Sequence, residues 1–541
     1  MTTSSHLCLT LALTVASLWG CGAPGDVERA ALSPQRPNIL FIYTDDHSAA
    51  AVGAYGSVIN TTPHIDRLAA EGMVFENAFC TNGICAPARA VVLTGLHSHK
   101  NGVVDNGAVF DGSQTTFPQV LQGAGYETAL IGKWHLKSDP TGFDHWEILP
   151  GQGHYYGPDF ESAAGSRRIE GYVTEITTDL ALNWLDDRAD NERPFLLMVQ
   201  HKAPHRTWMP GPAQHGLYAD QTIPEPPTLF DDYTGRGAAA QLQEMSIARH
   251  LYDLYDLKLI GDVSESRSLE GPDLWAADLL GRMTAEQRQA WDEAYIPIDE
   301  AFDREPPTGD ALVRWKYQRY IKDYLRCIAS VDESVGRLLD QLDAQGLAEN
   351  TIVVYSSDQG FFLGEHGWYD KRFMYEPALR LPLIVRWPVA VSPGSRNEHL
   401  VQNLDLAQTF LEAAGVVAPP SMQGASLMPL LAGETPADWR DSLYYEYHEV
   451  GIHNVEPHYG VRTARYKLIR YPGLASSESS SESSGESSGD PSGLSEWELF
   501  DLERDPHELN SVHNDPAYAQ LRAELETELA RLRKHYEVDD S

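Results

Sequence analysis

Carboxylate and amide side chains follow two apolar segments of this sequence. Asp45 and Asp46 come after one segment, and Asp358 and Gln359 come after another. An aspartate pair in such a position is common in turns. Hard oxygen ligands gathered from separate segments are also what Ca²⁺ or Mg²⁺ requires. The joint placement of the four side chains therefore predicts a divalent cation site.

Cationic and titratable side chains follow two further apolar segments. Lys133 and His135 come after residues 127–131, and His205 comes after residues 195–199. Taken singly, such side chains are typical of a solvated protein surface. Beside a bound cation they stabilise a tetrahedral oxyanion such as sulfate or phosphate. The two groups of residues together predict a site for an anionic ester.

The apolar segments predict a layered α/β domain. They are nearly continuous in apolar character, which is typical of strands buried on both faces of a parallel sheet. Helical patterns such as residues 317–342 lie between them. In open α/β sheets, ligands bind outside the carboxyl ends of the strands, so the polar residues above are expected at one edge. The predicted strands are residues 39–43, 127–131, 195–199, 351–355 and 383–385.

Cys85 lies in the segment Cys85-Ala86-Pro87-Ala88-Arg89. Pro87 is typical of the first turn of a helix, which places Cys85 at a helix N-terminus, where the helix dipole favours negative charge. These residues alone leave open a reactive or a merely buried cysteine. The segment, followed by an apolar helix ending in Thr-Gly, resembles the type I sulfatase signature, in which the cysteine is oxidised to formylglycine. The usual serine before the arginine is replaced here by Ala88.

The resemblance to type I sulfatases covers nearly all of the chain after the N-terminal segment. It is carried by residues 37–46, 132–136, 355–360 and 370–372. It implies the alkaline phosphatase-like fold, with a large mixed, mostly parallel sheet between helices. Aromatic, β-prone segments after residue 440 predict a smaller C-terminal antiparallel sheet with a helix, for which Asp515 is the expected N-cap.

The resemblance also implies the roles of individual residues. One Ca²⁺ is expected on Asp45, Asp46, Asp358 and Gln359, together with the modified Cys85. Five further side chains are expected to act on the sulfate ester. Arg89 holds the formylglycine hydrate, Lys133 and Lys371 neutralise sulfate oxygens, His205 protonates the leaving alkoxide and His135 helps to break down the intermediate. His205 is chosen over His201 because it follows proline directly.

Formylglycine explains why a cysteine must be modified. The hydrated aldehyde is a gem-diol, and one of its hydroxyls attacks sulfur and expels the alcohol. The second hydroxyl then loses its proton, the C–O bond to sulfate breaks, and the aldehyde returns. A serine could accept sulfate but would lack this release step. The resemblance thus implies a formylglycine-generating enzyme as a maturation partner.

Longer segments indicate the substrate. Residues 201–206, 361–375, 444–447 with 458–462, and 497–501 resemble bacterial N-acetylglucosamine-6-O-sulfatases and mucin-desulfating sulfatases. The resemblance implies a sulfated glycan substrate, with the 6-O-sulfate of N-acetylglucosamine in mucin-type or glycosaminoglycan-derived glycans as the leading expectation. His458 and Arg462 are either sugar contacts or packing residues of the C-terminal sheet.

Composition excludes some functions and leaves others open. The 541 residues include 41 Lys and Arg against 78 Asp and Glu, a net charge of −37, so nucleic-acid binding, which needs a basic surface, is not expected. A phosphate- or phosphonate-ester hydrolase of the same superfamily is one alternative. A non-catalytic glycan-binding lipoprotein is another. Five cysteines do not form a disulfide framework.

The N-terminal segment predicts export. A short apolar stretch ends in Leu18-Trp19-Gly20-Cys21, which resembles a bacterial lipoprotein signal lipidated at Cys21. The periplasm or cell surface is therefore the expected location. The remaining boundaries are predicted as a tether at 22–36, a catalytic domain at 37–435 with an insertion at 211–310, and a C-terminal subdomain at 436–541 with a disordered Ser/Glu-rich loop at 476–493.

Overall fold

The computed structural model describes Met1 and residues 36–188, 192–259, 271–473 and 496–539. The predicted signal peptide with Cys21, the tether up to residue 35 and the Ser/Glu-rich loop lie outside these residues. Within the described ranges, no helix is both long enough and apolar enough to cross a membrane.

Strands and helices alternate along most of the described chain. The strands are β1 (Asn38–Thr44), β2 (Met73–Phe75), β3 (Ala78–Phe79), β4 (Glu127–Lys133), β5 (His145–Leu149), β6 (Asp159–Ser162), β7 (Gly165–Arg168), β8 (Phe195–Gln200), β9 (Thr351–Ser357), β10 (Leu383–Arg386), β11 (Ser395–Asn397), β12 (Val401–Gln402), β13 (Ser442–Tyr447), β14 (His458–Thr463), β15 (Tyr466–Tyr471) and β16 (Glu496–Asp501). The helices are α1 (Pro63–Ala70), α2 (Cys85–Thr94), α3 (Ser98–Asn101), α4 (Phe117–Gly123), α5 (Val173–Asp186), α6 (Ala238–Leu242), α7 (Asp273–Leu280), α8 (Ala285–Arg304), α9 (Asp310–Ala344), α10 (Glu376–Leu379), α11 (Leu406–Ala413), α12 (Met428–Leu431) and α13 (Ala519–His535).

The central sheet confirms the predicted fold class. Its ten strands run in the order β11-β2-β10-β9-β1-β8-β4-β5-β6-β7. The five strands from β9 to β5 are mutually parallel, and β10 runs antiparallel to β9. The parallel strands therefore all end at the same edge of the sheet, which is where the predicted site residues follow them.

Both faces of the sheet are covered, as the apolar strands predict. Along β1, Phe41 and Tyr43 face one hydrophobic core, whereas Leu40 and Ile42 face the other. All seven residues of the strand are buried. Helix α2 packs in the first core, and the long helix α9 packs in the second. A strand between two cores has no solvated face, so its sequence shows no alternation.

The C-terminal strands form a separate antiparallel sheet in the order β13-β14-β15-β16. Helix α13 covers it with Leu525, Leu529 and Leu532. Asp515 caps the turn before this helix, since its side chain accepts a hydrogen bond from the backbone of Ala517. The predicted small sheet with a helix is confirmed.

Several strands escaped prediction because they lack a long apolar pattern. Strand β7 is fully exposed, and β2 has only three residues. In the described part of the predicted insertion, the Met245 carbonyl accepts a hydrogen bond from the Tyr369 backbone at 2.9 Å. This contact joins the insertion to the loop that carries Lys371. Cys80 and Cys327 are both free and buried.

Candidate active site

The strand ends bring the predicted metal ligands together. Asp45 and Asp46 follow β1, and Asp358 follows its neighbour β9. The Asp46 backbone donates a hydrogen bond to Asp358 Oδ1 at 3.0 Å. Oxygen atoms of the three carboxylates lie within 4.8 Å of one another, and all three residues are fully buried. We call these three residues the carboxylate cluster.

Three cations surround the carboxylate cluster. Lys371 Nζ lies 2.6 Å from Asp46 Oδ1, an Arg89 guanidinium nitrogen lies 3.0 Å from Asp358 Oδ2, and Lys133 contacts Asp45. Their three positive charges balance the three carboxylates when all of these are ionised. A bound divalent cation would leave the site with a positive charge, which attracts an anionic ester.

The donor atoms fit a hard divalent cation. Asp45 Oδ1 and Gln359 Oε1 are buried and have no hydrogen-bond partner, although buried oxygens are normally paired. Burial, opposed by Lys371, raises the pKa of Asp46 to about 6. Burial and the charge of Asp45 raise the pKa of Asp358 to about 8. A metal ion on these oxygens would satisfy the unpaired atoms and favour the charged carboxylates.

Cys85 lies beside the carboxylate cluster. It is the first residue of helix α2, is fully buried, and its Sγ lies within 4.8 Å of an Asp45 oxygen and a His205 ring nitrogen. Burial raises the pKa of its thiol well above the usual value. An unmodified Cys85 would therefore be a protonated thiol and a poor nucleophile.

Arg89 follows Cys85 by one turn of α2. Its guanidinium donates hydrogen bonds to Gln200 Oε1 at 2.6 Å and to the Lys133 carbonyl at 2.9 Å. These contacts join α2 to the ends of β8 and β4. Gln200 was missed by the sequence analysis. Its position in the sequence, as a polar residue at the end of an otherwise apolar strand, could have indicated a site residue.

The structure places His205 and His201 in different surroundings. His205 Nε2 lies 3.9 Å from Asp46 Oδ2, and burial together with Lys133 lowers the pKa of His205 well below its usual value. Burial and Lys133 also lower the pKa of His135. His201 Nε2 instead lies 3.0 Å from the Ser334 hydroxyl of helix α9. His205 therefore lies at the carboxylate cluster, whereas His201 contacts the helical layer.

Two sets of largely buried ion pairs hold the loops of the site, and the sequence did not predict either. Arg206, next to His205, forms two hydrogen bonds with Asp256, at 2.7 and 2.5 Å. Beside Lys371, Asp370 accepts a hydrogen bond from Arg372 at 3.1 Å and lies 3.3 Å from His453. Asp256 and His453 are distant in sequence, so only the folded chain reveals these pairs.

His458 and Arg462, the two candidate sugar contacts, are buried on strand β14 of the C-terminal sheet. The two residues are only 1% and 5% exposed. Both ring nitrogens of His458 contact backbone atoms, of Met374 and Glu456. The Arg462 guanidinium donates hydrogen bonds to both oxygens of Glu376 at 3.1 Å. Both side chains therefore belong to the packing of the C-terminal sheet, the alternative that the sequence left open.

Replacing Arg462 by alanine is expected to lower stability but not sulfate release. Glu376 would lose the two hydrogen bonds from the guanidinium but keep Lys467, which lies 2.9 Å away, so the expected loss is about 2 kcal/mol. Urea unfolding measures this change, and kcat/KM should stay within about twofold of the wild-type value at a temperature where the variant is folded. A large rise in KM with unchanged stability would contradict the packing role.

The site gathers carboxylates for a divalent cation and cations for an anionic ester at the strand ends of a mostly parallel sheet. This combination is typical of ester hydrolases with the alkaline phosphatase-like fold. The chain belongs to the sulfatase family, whose model matches residues 37–416. A second model, the C-terminal region of N-sulphoglucosamine sulphohydrolase, matches residues 364–478 and 492–535. The protein is therefore a sulfuric ester hydrolase, and the sulfatase family typically contains formylglycine and a divalent metal.

Similar proteins support the family assignment. The chain is 44% identical over 538 residues to the N-acetylglucosamine-6-O-sulfatase of Bacteroides thetaiotaomicron, covering 98% of this chain and 91% of the relative. The solved structure of BT4656 in complex with its substrate D-glucosamine-2-N,6-O-disulfate matches with a TM-score of 0.87 and 44% identity, covering 94% of this chain and 99% of that chain. The phosphonate monoester hydrolase of Agrobacterium radiobacter shares the fold, with a TM-score of 0.62 and 20% identity over 93% of this chain and 96% of that chain.

Proposed function

We propose that this enzyme removes the 6-O-sulfate from N-acetylglucosamine residues of sulfated glycans, with Ca²⁺ on the carboxylate cluster and Gln359. The observation that carries the proposal is the 44% identity, across 98% of the chain, to an N-acetylglucosamine-6-O-sulfatase. The hard oxygen donors support Ca²⁺. The position of Cys85 at the start of α2, beside the carboxylate cluster, supports its conversion to formylglycine.

The side chains of the site would divide the work on the ester. Lys133 and Lys371 would donate hydrogen bonds to sulfate oxygens, which neutralises their charge as the ester bond breaks. A bound anionic ester would raise the pKa of His205 again, so that its imidazole could protonate the leaving oxygen. Arg89 would hold the side chain at position 85. A bound Ca²⁺ supplies a Lewis acid, and the hydrated aldehyde supplies the nucleophilic oxygen.

We also propose that the enzyme acts outside the cytoplasm. The apolar N-terminal stretch that ends in Gly20-Cys21 supports export and a lipid anchor at Cys21. A formylglycine-generating enzyme of the host would then mature Cys85. Metabolic labelling with a radioactive fatty acid tests the anchor, because a Cys21→Ser variant should lose the label.

Sulfate release from isomeric substrates tests the proposed function. We expect kcat/KM for N-acetylglucosamine 6-sulfate to exceed that for the 3-sulfate isomer and for N-acetylglucosamine 6-phosphate by at least about 100-fold. The matured protein is incubated with each ester, and the released sulfate or phosphate is quantified by ion chromatography. Faster release of phosphate would favour the phosphate-ester alternative. Glycan binding without release from a matured sample would favour a binding protein.

A further inference from the structure

Lys202 is a buried cation that the proposed reaction does not use. Its side chain lies in a cavity of about 270 Å³ that opens beside His205, and the residue is only 5% exposed. We call this space the Lys202 cavity. A turn brings the two residues together, since the His205 backbone donates a hydrogen bond to the Lys202 carbonyl at 3.0 Å. A group bound in the cavity would therefore lie next to the reacting ester.

Lys202 has no acidic partner in the described ranges of the chain. Its Nζ lies over the face of the Tyr155 ring, 4.9 Å from the ring centroid, and no carboxylate of the described residues lies within ion-pair distance. Burial and the charge of Lys133 lower the pKa of Lys202 to about 7. A buried ammonium normally has an anionic or hydrogen-bonding partner. An anionic ligand bound in the cavity would supply that partner for Lys202.

The polar part of the described wall of the Lys202 cavity carries basic and titratable nitrogens but no carboxylate. Among the described residues that line it are His154, Lys202, His205 and Arg206, and none is acidic. The charge of Arg206 is already balanced by Asp256, whereas His154 Nδ1 is buried without a hydrogen-bond partner. A lining that contains an unpaired ammonium and titratable imidazoles but no carboxylate favours an anionic ligand over a cationic one.

We infer that the Lys202 cavity binds a second anionic group of the substrate, a sulfate or carboxylate other than the ester that reacts. This inference rests on the proposed function, because it concerns the sugar whose 6-sulfate is removed. The ammonium of Lys202 would form the charge-assisted hydrogen bond, and His154 would donate a second one. Trp275, which lines the same cavity and is 64% exposed, offers a flat face on which a sugar ring would pack.

Three substrates separate the possible sources of the second anion. N-acetylglucosamine 6-sulfate carries only the reacting ester, glucosamine 2-N,6-O-disulfate adds a sulfate on the same sugar, and a uronate-linked N-acetylglucosamine 6-sulfate disaccharide adds a carboxylate on the next one. We expect kcat/KM on at least one doubly anionic substrate to exceed that on the singly anionic sugar by about tenfold or more. The preferred compound identifies which sugar supplies the anion.

Substituting Lys202 tests the assignment through a ratio of rates. The measured quantity is kcat/KM on the doubly anionic substrate divided by kcat/KM on the singly anionic one. Lys202→Met should lower this ratio by about 10- to 100-fold, and Lys202→Arg should restore most of the ratio. Lys534→Met, which removes an exposed cation from α13, should leave the ratio unchanged. If Lys202→Met does not fold, Lys202→Gln provides the same comparison.

The outcomes distinguish this inference from the proposed function. General damage to the site would lower all rates together and leave the ratio intact, and that result would overturn the inference. So would a wild-type enzyme that shows no preference among the three sugars while releasing sulfate from them. A matured enzyme that releases sulfate from none of the three contradicts the proposed function, and the inference with it.

Discussion

Replacing Cys85 by serine is expected to reduce steady-state sulfate release by at least about 1,000-fold, because loss of a nucleophile removes the reaction pathway rather than one contact. Serine at the start of α2 retains an oxygen close to Asp45 and His205. It would accept sulfate once but would have no second hydroxyl to release it. Rate measurements should therefore show at most one turnover, and intact mass spectrometry should show a gain of about 80 Da, the mass of a transferred SO₃ group.

Cys80 provides the matched control for this experiment. It is another free, buried cysteine of the same chain, and its Sγ contacts the Ala378 carbonyl rather than the carboxylate cluster. Cys80→Ser should retain at least about half of the wild-type rate. In wild-type protein the peptide that contains Cys85 should be about 18 Da lighter than its thiol form, as oxidation to the aldehyde requires. Full turnover by Cys85→Ser would contradict the assigned nucleophile.

The sequence predicts the sheet and the carboxylate cluster for the same physical reason. A strand buried between two layers must be apolar over its whole length, and its polar continuation marks the edge where ligands bind. Strand β1 and the pair Asp45-Asp46 show both features within nine residues, 38–46. Helix α2 was equally predictable, because Pro87 fixes its first turn.

The residues that sequence reasoning missed depend on contacts between distant segments. Asp256 stabilises Arg206 across 50 residues, and His453 lies beside Asp370 across a longer separation. Neither pair follows a strand or forms a local motif. The two alternatives for Arg462 stayed open for the same reason, because a β-prone segment does not reveal which of its side chains will meet Glu376.

Removal of the divalent cation is expected to abolish activity and to lower the melting temperature. The metal-free site keeps Asp45 Oδ1 and Gln359 Oε1 unpaired, and a ligand at 100 times its Kd stabilises the folded state by about 2.7 kcal/mol. Dialysis against a chelator, followed by titration with Ca²⁺, should restore both properties. Asp45→Asn should weaken the Ca²⁺ affinity by at least about 100-fold, because a charged ligand is lost. Asp340→Asn, on the surface of α9, should leave the affinity unchanged.

The affinity for Ca²⁺ should also rise with pH. In the metal-free protein, Asp46 and Asp358 have pKa values raised to about 6 and about 8, so the folded site holds protons that the metal must displace. Raising the pH from 6 to 8 removes most of the Asp46 proton and about half of the Asp358 proton and so strengthens binding, whereas lowering the pH does the reverse. Calorimetric titration in buffers of different ionisation enthalpy should show proton release at pH 6.5 and less of it at pH 8.5. If Ca²⁺ binds without proton release at pH 6.5, the carboxylate cluster is not the metal site.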